Sequence, residues 1–413
     1  MKREKEILFL CQFFYPEYVS SATLPYDTAV ALSENGHTVD VLCGYPNEYT
    51  KQKNIPLKEN INGISIKRLR YLQLKRSNFV GRMINYFSFT FKVFLNIFFF
   101  NSYKVVIVYS NPPILPYIAY LAKKIYKFKL VFIAYDLYPE IAVITNQISN
   151  TGIISKFMRH INEKLFPELD SIVALSSEMK KFIVDNRDVE SSKICVIPNW
   201  YKDDKNNMRD MTADNCFYDE YHDKTVISYL GNMGICQDID TLIDAAIKLK
   251  DHDKIRFLFA GHGNKVKYLK DIILSQNLKN VKFYDFLMEK EYKDALITSS
   301  FSVVSLTKGV SGMCVPSKTY GYMMAGIPII AILDLKSDIA IDIRNNYAGL
   351  LCGNFDSQVI VDFLLKHSDG KYDNEVKYMS ENIRKVFLDK YEKNICLKQY
   401  SKLFDNICER NVL

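Results

Sequence analysis

The sequence contains one Trp against 28 Tyr and 26 Phe, and it lacks an apolar run that fits a comfortable membrane-spanning helix. Its nine Cys residues form no CxxC pair, and none of the six His residues is placed to complete a zinc motif. Scattered thiols of this kind are typical of reduced cysteines in a cytosolic protein. Short-period repeats and low-complexity tracts are absent too. We therefore expect a cytoplasmic protein with free thiols.

The composition is that of a globular protein, with 48% hydrophobic and 24% charged residues, and it excludes wholesale disorder. A chain of 413 residues is too long for one ordinary hydrophobic core and has room for two domains. The 54 Lys and Arg exceed the 47 Asp and Glu by 7 charges. That surplus is too small to predict a nucleic-acid partner, but it favours anionic substrates or an anionic membrane surface.

Short apolar runs alternate with longer amphipathic stretches along the chain, a pattern typical of parallel α/β layers. The first run, residues 7–10, is too short for a signal peptide and predicts a buried strand. In the first half, strands are predicted at 6–12, 38–43, 104–109, 129–134, 171–175 and 193–197, with helices near 22–35, 82–100, 114–127, 153–165 and 177–185. A second series starts at Thr225 with VISYLG, IRFLFAG, VKFYDF, FSVVSL and PIIAIL. Two such series predict two doubly wound domains.

A domain boundary is visible after Trp200, because the following residues are polar and show no apolar period. The C-terminal stretch from Asp389 shows apolar residues at helical spacing. The predicted organisation is an N-terminal domain over residues 1–200, a polar linker and surface excursion over 201–224, a C-terminal domain over 225–388 and a last helix over 389–413.

Ligands of open α/β sheets bind at the carboxyl ends of the strands, so the loops after the strands are the candidate sites. Tyr229–Gly234 and Phe259–Asn264 are both glycine-containing loops between a predicted strand and a predicted helix. Glycine lets the backbone come close to a ligand, and the start of the next helix favours phosphate. The same glycines also fit tight turns that bind nothing.

A third loop ends in Pro316-Ser317-Lys318, just before another predicted helix. Pro316 suits the first turn of that helix, which leaves Ser317 and Lys318 at its N-terminal end. A lysine there opposes the helix dipole unless an anion pairs with it. Lys318 is therefore predicted to bind phosphate, with an ordinary solvated lysine as the alternative.

These stretches, taken in order, resemble the GT-B glycosyltransferases of the large retaining family four, and in particular their polysaccharide-assembly branch. That branch includes colanic acid, O-antigen and N-acetylfucosamine transferases. The matching segments are FFYPEYVSSATLPYDTAVALSENGHTVDVLCGYPNEY at 13–49, SNPPILPYIAYLAKK at 110–124, YDLYPE at 135–140, VIPNW at 196–200, YLGNMGICQDIDTLIDAA at 229–246, FAGHGN at 259–264 and VPSKTYGYMMAGIP at 315–328. Each is loose alone, but their order and spacing are specific.

The resemblance implies a GT-B fold, in which two Rossmann-like domains face each other across a cleft and the C-terminal helix crosses back to the N-terminal domain. It implies that the C-terminal domain binds a nucleotide-sugar donor, most commonly a UDP-sugar, and that the N-terminal domain binds the acceptor. The implied donor residues are Gly231, Asn232, Gly234, Gln237, Gly261, Gly263, Ser317, Lys318 and Tyr320. The implied acceptor and diphosphate loop contains Tyr15, Pro16, Ser20 and Ser21.

Catalysis would rest on Lys318, which stabilises the leaving diphosphate, and on Asp136 and Glu140, which bind acceptor hydroxyls or assist proton transfer. The alternative for both acids is loop capping. No metal or other cofactor is expected, because backbone N–H groups and a cation stabilise the departing diphosphate in this fold. Accordingly, the acids at 203, 204, 238 and 240 are interpreted as linker and helix-start residues.

The sequence departs from the family pattern at several positions. The Arg and Lys that contact the diphosphate in the broad family correspond to Asn232 and Gln237, and its two glutamates correspond to Met313 and Gly321. Where the family has two glycines in its first loop, this chain has Ser20 and Ser21. Where the family often has a histidine before the aspartate of the 135–140 loop, this chain has Tyr135. Lys318 is then the remaining cation for the diphosphate.

The leading functional hypothesis is sugar transfer to a polyprenyl-diphosphate-linked or oligosaccharide acceptor in bacterial capsule or O-antigen assembly. The branch resemblance implies an N-acetylated amino sugar as the transferred sugar. A second hypothesis is a UDP-sugar 2-epimerase of the same architecture, which needs His and acidic groups converging on the sugar. A third is a degenerate homologue that binds nucleotide without turnover, consistent with the two missing glutamates.

The helix predicted at 83–100, MINYFSFTFKVFLNIFFF, carries its few polar residues on one narrow stripe: Asn85, Ser88, Lys92 and Asn96. A basic cluster precedes it, formed by Lys67, Arg68, Arg70, Lys75, Arg76 and Arg82. One hypothesis is that this helix lies on the cytoplasmic face of the inner membrane, with the basic cluster on anionic headgroups. The alternative is a helix buried in the core.

Overall fold

The protein is described by a computed structural model that covers residues 5–47, 49–74, 79–208, 211–368 and 373–409. Its residues cluster into two units. The first contains the chain up to Asn199, together with Gly312–Val315 and the residues from Asn394 onward. The second contains Trp200–Ser311 and Pro316–Lys393.

The first unit is built on the strands β1 (Ile7–Cys11), β2 (Val39–Gly44), β3 (Lys58–Ile61), β4 (Ile64–Leu69), β5 (Val105–Tyr109), β6 (Lys129–Ala134), β7 (Ser171–Ala174) and β8 (Ile194–Val196). Within the described residues they form one sheet in the order β3-β4-β2-β1-β5-β6-β7-β8. Only the β3–β4 pair is antiparallel among the described pairs. β1 and β5 are buried along their full length, as expected for parallel strands covered on both faces.

The helices of the first unit connect these strands: α1 (Ser20–Glu34), α2 (Phe79–Phe94), α3 (Leu115–Tyr126), α4 (Glu140–Ile144), α5 (Ile153–Leu165) and α6 (Ser177–Asn186). A short 3-10 helix, Ile97–Ser102, follows α2. The predicted helix at 83–100 therefore ends early, at Phe94. Phe100 of the 3-10 helix is buried and stacks on Phe128, with 6.0 Å between ring centroids.

The second unit contains the strands β9 (Thr225–Asn232), β10 (Ile255–His262), β11 (Val281–Tyr284), β12 (Phe301–Ser305), β13 (Ile329–Ile332) and β14 (Gly349–Cys352). In the part of the chain that the structure describes, they form a parallel sheet in the order β11-β10-β9-β12-β13-β14. Its helices are α7 (Tyr218–Tyr221), α8 (Asp240–Lys248), α9 (Val266–Ser275), α10 (Glu289–Thr298), α11 (Thr319–Ala325), α12 (Asp338–Asn345), α13 (Ser357–Lys366) and α14 (Asn374–Val386).

The predicted fold class, two doubly wound α/β domains, is confirmed. The sequence patterns missed the β3–β4 pair and β14. β3 alternates exposed and half-buried residues and contains no apolar run, so its hydrophobic pattern does not predict a strand. β14 has only four residues and begins at a glycine.

Residues 201–224, predicted as a polar linker and surface excursion, cluster with the second unit instead. Two aromatic residues hold this segment, because Phe217 and Tyr221 are buried. Phe217 packs edge-on against Tyr284 with 5.1 Å between centroids. Asp203 adds an ion pair with Arg384 at 2.6 Å. Among the described residues of this segment only two apolar side chains are buried, too few to give a periodic signal.

The last helix, α15 (Lys393–Glu409), belongs from Asn394 onward to the first unit. It starts later than predicted, because Phe387–Tyr391 form a π-helical turn. Asp405 of α15 accepts a hydrogen bond from Asn35 at 3.0 Å and lies 3.0 Å from His37 Nε2. The chain thus returns to its N-terminal unit, as the fold class implies.

Tyr322 on α11 ties this helix to β9. Its buried hydroxyl accepts a hydrogen bond from the Leu230 N–H at 2.8 Å and donates one to the Leu230 carbonyl at 3.1 Å. We expect Tyr322→Phe to lower the free energy of unfolding by about 1–3 kcal/mol, because both backbone groups lose their side-chain partner in a buried place. Urea unfolding of the variant measures this loss.

Tyr378→Phe is the matched control, since Tyr378 lies on α14 and is 55% exposed. Its loss should stay within about 0.5 kcal/mol. Equal stability losses in the two variants would contradict the role assigned to Tyr322.

Candidate functional site

The candidate site of the second unit lies where β9 ends. β9 pairs with β10 on one side and with β12 on the other, so the order of the strands reverses there. Such a switch point is the usual ligand position in an open α/β sheet. Lys318, which precedes α11, reaches this edge and contacts Asn232 at the end of β9.

The predicted donor glycines have different roles in this edge. Gly261 and Gly263 have φ of +136° and +137°, and an added Cβ would lie 2.1 Å from the Gly231 carbonyl oxygen and 2.4 Å from that of Met233, respectively. These two glycines therefore let the loops after β9 and β10 pack on each other. An added Cβ at Gly231 would meet only Lys318 Cε, at 3.9 Å. Gly231 thus faces open space beside the lysine.

The Lys318 side chain is partly buried, so its ammonium is partly desolvated. Its ammonium lies 3.3 Å from the centroid of the Tyr229 ring, and Nζ donates a hydrogen bond to the Asn232 carbonyl at 3.4 Å. Within the described residues, no carboxylate forms an ion pair with it. Burial lowers the pKa of Lys318 well below its ordinary value, because desolvation disfavours the charged form. An anion bound here would supply the missing countercharge.

Tyr229 was not among the predicted site residues, although it stands in the first glycine loop that the sequence indicated. Its ring is buried, stacks on Phe259 with 6.0 Å between centroids, and offers its face to the Lys318 ammonium. Its hydroxyl donates to the Asn232 carbonyl at 3.3 Å, the same oxygen that Lys318 contacts. Tyr229 thus orients both the loop and the cation.

The predicted donor residues Gln237 and Gly234 close the loop on itself: Gly234 N–H donates to Gln237 Oε1 at 2.9 Å. The side-chain oxygen of Gln237 therefore already accepts a hydrogen bond within the loop, whereas the Asn232 side chain is exposed. A second lysine, Lys265, donates to the Gln237 carbonyl at 3.0 Å and pairs with Asp240 at 2.7 Å. Its charge is neutralised, in contrast to that of Lys318.

Asp238 is a helix-start acid, as predicted. Its carboxylate accepts hydrogen bonds from the Thr241 N–H at 3.1 Å and from Asn354 at 2.7 Å. It is buried and fixes the start of α8.

Two expectations around Lys318 change. The helix does not begin at Pro316: residues 316–318 form a turn in which Thr319 N–H donates to the Pro316 carbonyl at 3.2 Å, and α11 begins at Thr319. Ser317 is exposed beside Lys318. Tyr320, expected to contact the donor, is instead buried against Tyr391 with 5.1 Å between centroids, because it points into the core side of α11. We assign it a packing role.

The first unit has its own switch point at β1, which pairs with β2 and with β5. Asp136 follows β6, the strand next to β5. The backbone N–H groups of Tyr135 and Asp136 both donate to Ser110 Oγ at 3.0 Å, which fixes this turn. Burial raises the pKa of Asp136 to about 6. No cation of the described residues pairs with its carboxylate.

Unpartnered amides lie at the same strand ends. Gln12 directly follows β1 and is 1% exposed, yet neither atom of its side-chain amide has a hydrogen-bond partner among the described residues. Asn111 follows β5, and its buried Oδ1 is also unpartnered there. Buried polar groups normally find a partner, so these atoms indicate a polar ligand or ordered water. No sequence motif points to Gln12 or Asn111, because a single amide residue has no characteristic spacing to other residues.

Glu140 differs from Asp136. Its carboxylate pairs with Arg187 at 2.6 Å, and both side chains are largely buried. Arg187 also donates to the Tyr138 carbonyl at 3.3 Å. Of the two predicted catalytic acids, Glu140 is therefore held in a structural ion pair, which matches the loop-stabilising alternative.

The predicted acceptor loop lies between β1 and α1. The Tyr15 ring stacks on the Tyr26 ring with 4.9 Å between centroids. The backbone carbonyl of Tyr15 accepts a hydrogen bond from the Arg68 guanidinium at 2.8 Å, and the Tyr15–Pro16 peptide bond is cis. Ser20 and Ser21 form the first turn of α1, and Ser20 is exposed.

Three of the four residues of the polar stripe, Asn85, Ser88 and Asn96, hydrogen-bond to neighbouring residues of the protein, whereas Lys92 is exposed. The Asn85 amide donates to the Leu74 carbonyl at 2.9 Å and accepts from the Leu74 N–H at 2.8 Å, and Ser88 Oγ bonds to Leu72. Asn96, just after α2, accepts from Lys67 at 2.9 Å. The opposite face exposes apolar side chains: Val80, Phe87, Phe91, Phe94, Leu95 and Phe98. We call these six residues the phenylalanine face. α2 is therefore not a helix buried all round.

Only some residues of the predicted basic cluster are free to contact lipid headgroups. Arg68 is fully buried, pairs with Glu59 and also donates to the Tyr15 and Pro56 carbonyls, so it cannot meet a surface partner. Lys67 is engaged with Asn96, and Arg82 donates to Gln147 at 3.0 Å. Arg70 and Lys92 are exposed. Lys75 and Arg76 lie outside the described residues. None of the helices in the described part of the chain combines the length and apolar content that a bilayer crossing requires.

Comparisons with known proteins agree with this architecture. Residues 22–205 match the family Glycosyltransferase Family 4, and residues 213–386 match Glycosyl transferases group 1. The probable glycosyltransferase WbjE of Pseudomonas aeruginosa is 26% identical over 250 residues, which are 60% of this chain and 62% of WbjE. The chain thus spans about three fifths of the length of the curated relatives it matches.

Two solved structures are similar over nearly the whole chain. HepE of Anabaena, determined in complex with UDP-glucose, has a TM-score of 0.70 at 14% identity, with 97% of this chain and 99% of HepE covered. Sucrose-phosphate synthase of Thermosynechococcus elongatus has a TM-score of 0.71 at 14% identity, with 98% and 99% covered. At such identities the likeness concerns the fold. The two family matches follow one another along the chain, so the protein contains a family 4 glycosyltransferase domain followed by a group 1 glycosyl transferase domain, in a fold similar to those of HepE and sucrose-phosphate synthase.

Proposed function

We propose that this protein is a retaining glycosyltransferase that moves a sugar from a nucleotide-sugar to a polyprenyl-diphosphate-linked or oligosaccharide acceptor in bacterial surface polysaccharide assembly. The second unit would bind the donor and the first unit the acceptor. The observation that carries this proposal is Lys318, a desolvated cation without a carboxylate partner in the described residues, at the switch point of the second sheet.

The chemistry asked of Lys318 is charge stabilisation. During transfer the bond between the sugar C1 and the phosphate oxygen breaks, and the nucleoside diphosphate leaves with additional negative charge. A cation already stripped of water interacts strongly with that charge. In a retaining reaction the acceptor hydroxyl attacks on the face that the diphosphate leaves, and its proton passes to the departing phosphate. This requires no protein base at the reacting carbon, which is consistent with the absence of the family's two glutamates.

UDP is the nucleotide we favour, because the similar fold of HepE was determined with UDP-glucose. An N-acetylated amino sugar is the donor sugar suggested by the branch that the sequence resembles. On the acceptor side, Asp136 and the unpartnered amides of Gln12 and Asn111 offer acceptors and donors for sugar hydroxyls.

Two alternatives make different products. A 2-epimerase would release a free epimerised sugar, and a degenerate homologue would bind nucleotide and form no product. In the described residues, His262 is the histidine at the end of β9 or β10, and no carboxylate pairs with it, which disfavours the epimerase. Incubation with labelled UDP-sugars, with and without a lipid-linked acceptor, separates the three hypotheses. Transfer to the acceptor supports our proposal, whereas free epimer or no product contradicts it.

For Lys318 we expect Lys318→Met to reduce turnover about 10²- to 10³-fold, because a group that stabilises developing charge is lost. The thermal stability of the variant should stay equal or rise, since an unpaired desolvated charge is removed. Steady-state kinetics and a melting curve measure the two effects.

Lys336→Met is the control for Lys318, since Lys336 is an exposed lysine of the same unit. Its kinetics and stability should match those of the unchanged protein. Full activity in Lys318→Met would refute the donor-site assignment.

For Asp136 we expect kcat/KM to fall as the pH drops through about 6, because its raised pKa places protonation there and the neutral acid binds the acceptor hydroxyls less well. In Asp136→Asn this acidic limb should disappear and the remaining activity should be low. A pH–rate profile of both proteins measures it.

Glu140→Gln provides the contrast, because it breaks the ion pair with Arg187 and leaves a buried cation unpaired. It should lower the unfolding free energy by about 3 kcal/mol or more and leave the acidic limb in place. An acidic limb that persists unchanged in Asp136→Asn would disprove the role of Asp136.

We also propose that the phenylalanine face of α2 contacts a membrane surface, which suits a lipid-linked acceptor. Five of its residues have side chains more than half exposed, namely Val80, Phe87, Phe91, Leu95 and Phe98. Leu72 and Leu74 are exposed as well, and exposed Lys92 and Arg70 supply positive charge for anionic headgroups. Asn85, Ser88 and Asn96 of the polar stripe are occupied by the protein itself, so this helix presents its apolar side outward.

The membrane proposal predicts that the protein sediments with vesicles rich in anionic lipid and less with neutral ones. The triple variant Phe87→Ser, Phe91→Ser, Phe98→Ser should lose most of the binding and keep its fold, because these side chains are exposed. The double variant Leu274→Ser, Phe355→Ser removes exposed apolar residues of the second unit, 79% and 77% exposed, and should bind as before. Equal vesicle binding by both variants would refute this surface.

A further inference from the structure

A group of side chains that could hold a metal ion lies in the first unit. Glu6 stands just before β1, His37 lies in the turn between α1 and β2, and Cys408 lies near the end of α15. Their ligand atoms are all within 4.8 Å of one another. The sequence spacing excluded a zinc motif, because these residues come from three distant segments that only the fold brings together.

The contacts of His37 point to a cation at this place. Its Nε2 lies 3.0 Å from Asp405 Oδ1, and its Nδ1 lies 3.1 Å from Glu6 Oε2. A neutral imidazole has a single N–H, so one of its nitrogens would face a carboxylate with a lone pair unless a second proton or a metal ion lies between them. Asp405 is fixed by the Asn35 amide, which donates to the same oxygen at 3.0 Å. Asp405 is therefore placed to accept from Nε2–H, which directs the Nδ1 lone pair toward Glu6 and Cys408.

We propose that Glu6, His37 Nδ1 and Cys408 form a binding site for a zinc-like divalent ion. One carboxylate, one imidazole and one thiolate are a ligand set that suits zinc and disfavours magnesium and calcium, which prefer oxygen. Water would complete the coordination. Asp405 takes the position of the carboxylate that orients a metal-binding histidine.

The surroundings are compatible with binding. All three ligands are partly exposed, so an ion reaches them from solvent. Burial and the neighbouring Glu6 raise the pKa of the Cys408 thiol, and Lys104 offsets this only in part, so the thiol keeps its proton until an ion displaces it. On binding, the thiol proton is released to solvent. The ion would join α15 to the start of β1 and so stabilise the return of the chain to its first unit. This role does not depend on the transferase activity.

The test uses the full chain, freed of metal with a chelator and then titrated with Zn²⁺ alone. We expect one ion per chain and a rise in melting temperature that grows with the zinc concentration. Titration with Co²⁺ should give a thiolate-to-cobalt absorption band, which reports sulfur coordination directly in the unsubstituted protein.

Variants locate the ion. Cys408→Ser should abolish the cobalt band and the zinc-dependent rise in melting temperature. Asp405→Asn should keep the band and weaken zinc binding about 10- to 100-fold, because it loses only the orienting contact. Cys216→Ser, an exposed cysteine of the second unit, is the control and should bind as before.

Three results would overturn the proposal. One is the absence of a cobalt–thiolate band in the unsubstituted protein, a measurement that does not depend on the folding of any variant. Another is zinc binding that survives Cys408→Ser, for example at the group formed by His367, Asp373 and Glu375 in the second unit. The third is an equal loss in Cys216→Ser. In these cases Glu6, His37 and Asp405 form a hydrogen-bonded cluster only.

Discussion

The candidate donor site is built around one unpaired charge, the Lys318 ammonium. It lies on the face of the Tyr229 ring, and its further partner in the described residues is a backbone carbonyl. A ring face replaces water poorly, and the lowered pKa of Lys318 expresses that cost. Such an arrangement persists when the fold holds both groups in place. Tyr229 is buried in β9, and Tyr322 joins β9 to the helix that follows Lys318. The unfavourable free energy of the isolated cation becomes binding free energy when an anion arrives.

Two other cations near the candidate sites are neutralised by carboxylates. Lys265 pairs with Asp240, and Arg187 pairs with Glu140. Asp136 is the counterpart of Lys318 in the first unit, a carboxylate whose pKa is raised by burial and which no described cation compensates. Unpaired desolvated groups at strand ends are candidates for a functional role, whereas paired groups at the same ends stabilise turns. This contrast separates Asp136 from Glu140, which sequence reasoning treated as equivalent.

The sequence predicted the fold class well, because strand runs such as 7–11 and 225–231 are apolar throughout and the glycine loops follow them directly. The position of Lys318 at a helix start leads to the hypothesis that it binds phosphate, and this role stays a prediction; the helix itself begins at Thr319. The remaining features depend on contacts between distant residues. No sequence pattern predicts that Tyr320 packs in the core against Tyr391 or that the buried Arg68 pairs with Glu59. Nor does a pattern predict that Ser88 and Asn85 of α2 hydrogen-bond to Leu72 and Leu74. The cluster of Glu6, His37 and Cys408 is of the same kind, since its members are far apart in the chain.

The most direct test of the central claim is the proton balance of UDP binding. Calorimetric titrations in buffers of different ionisation enthalpy, at pH values above the terminal phosphate pKa of about 6, report how many protons are taken up with the nucleotide. If Lys318 is a desolvated cation that gains its countercharge from the diphosphate, its pKa rises on binding. Proton uptake should then appear as the pH increases, and the affinity should fall at still higher pH as the lysine loses its charge. UDP binding without proton uptake at any pH, or with the same uptake in Lys318→Met, would contradict the account.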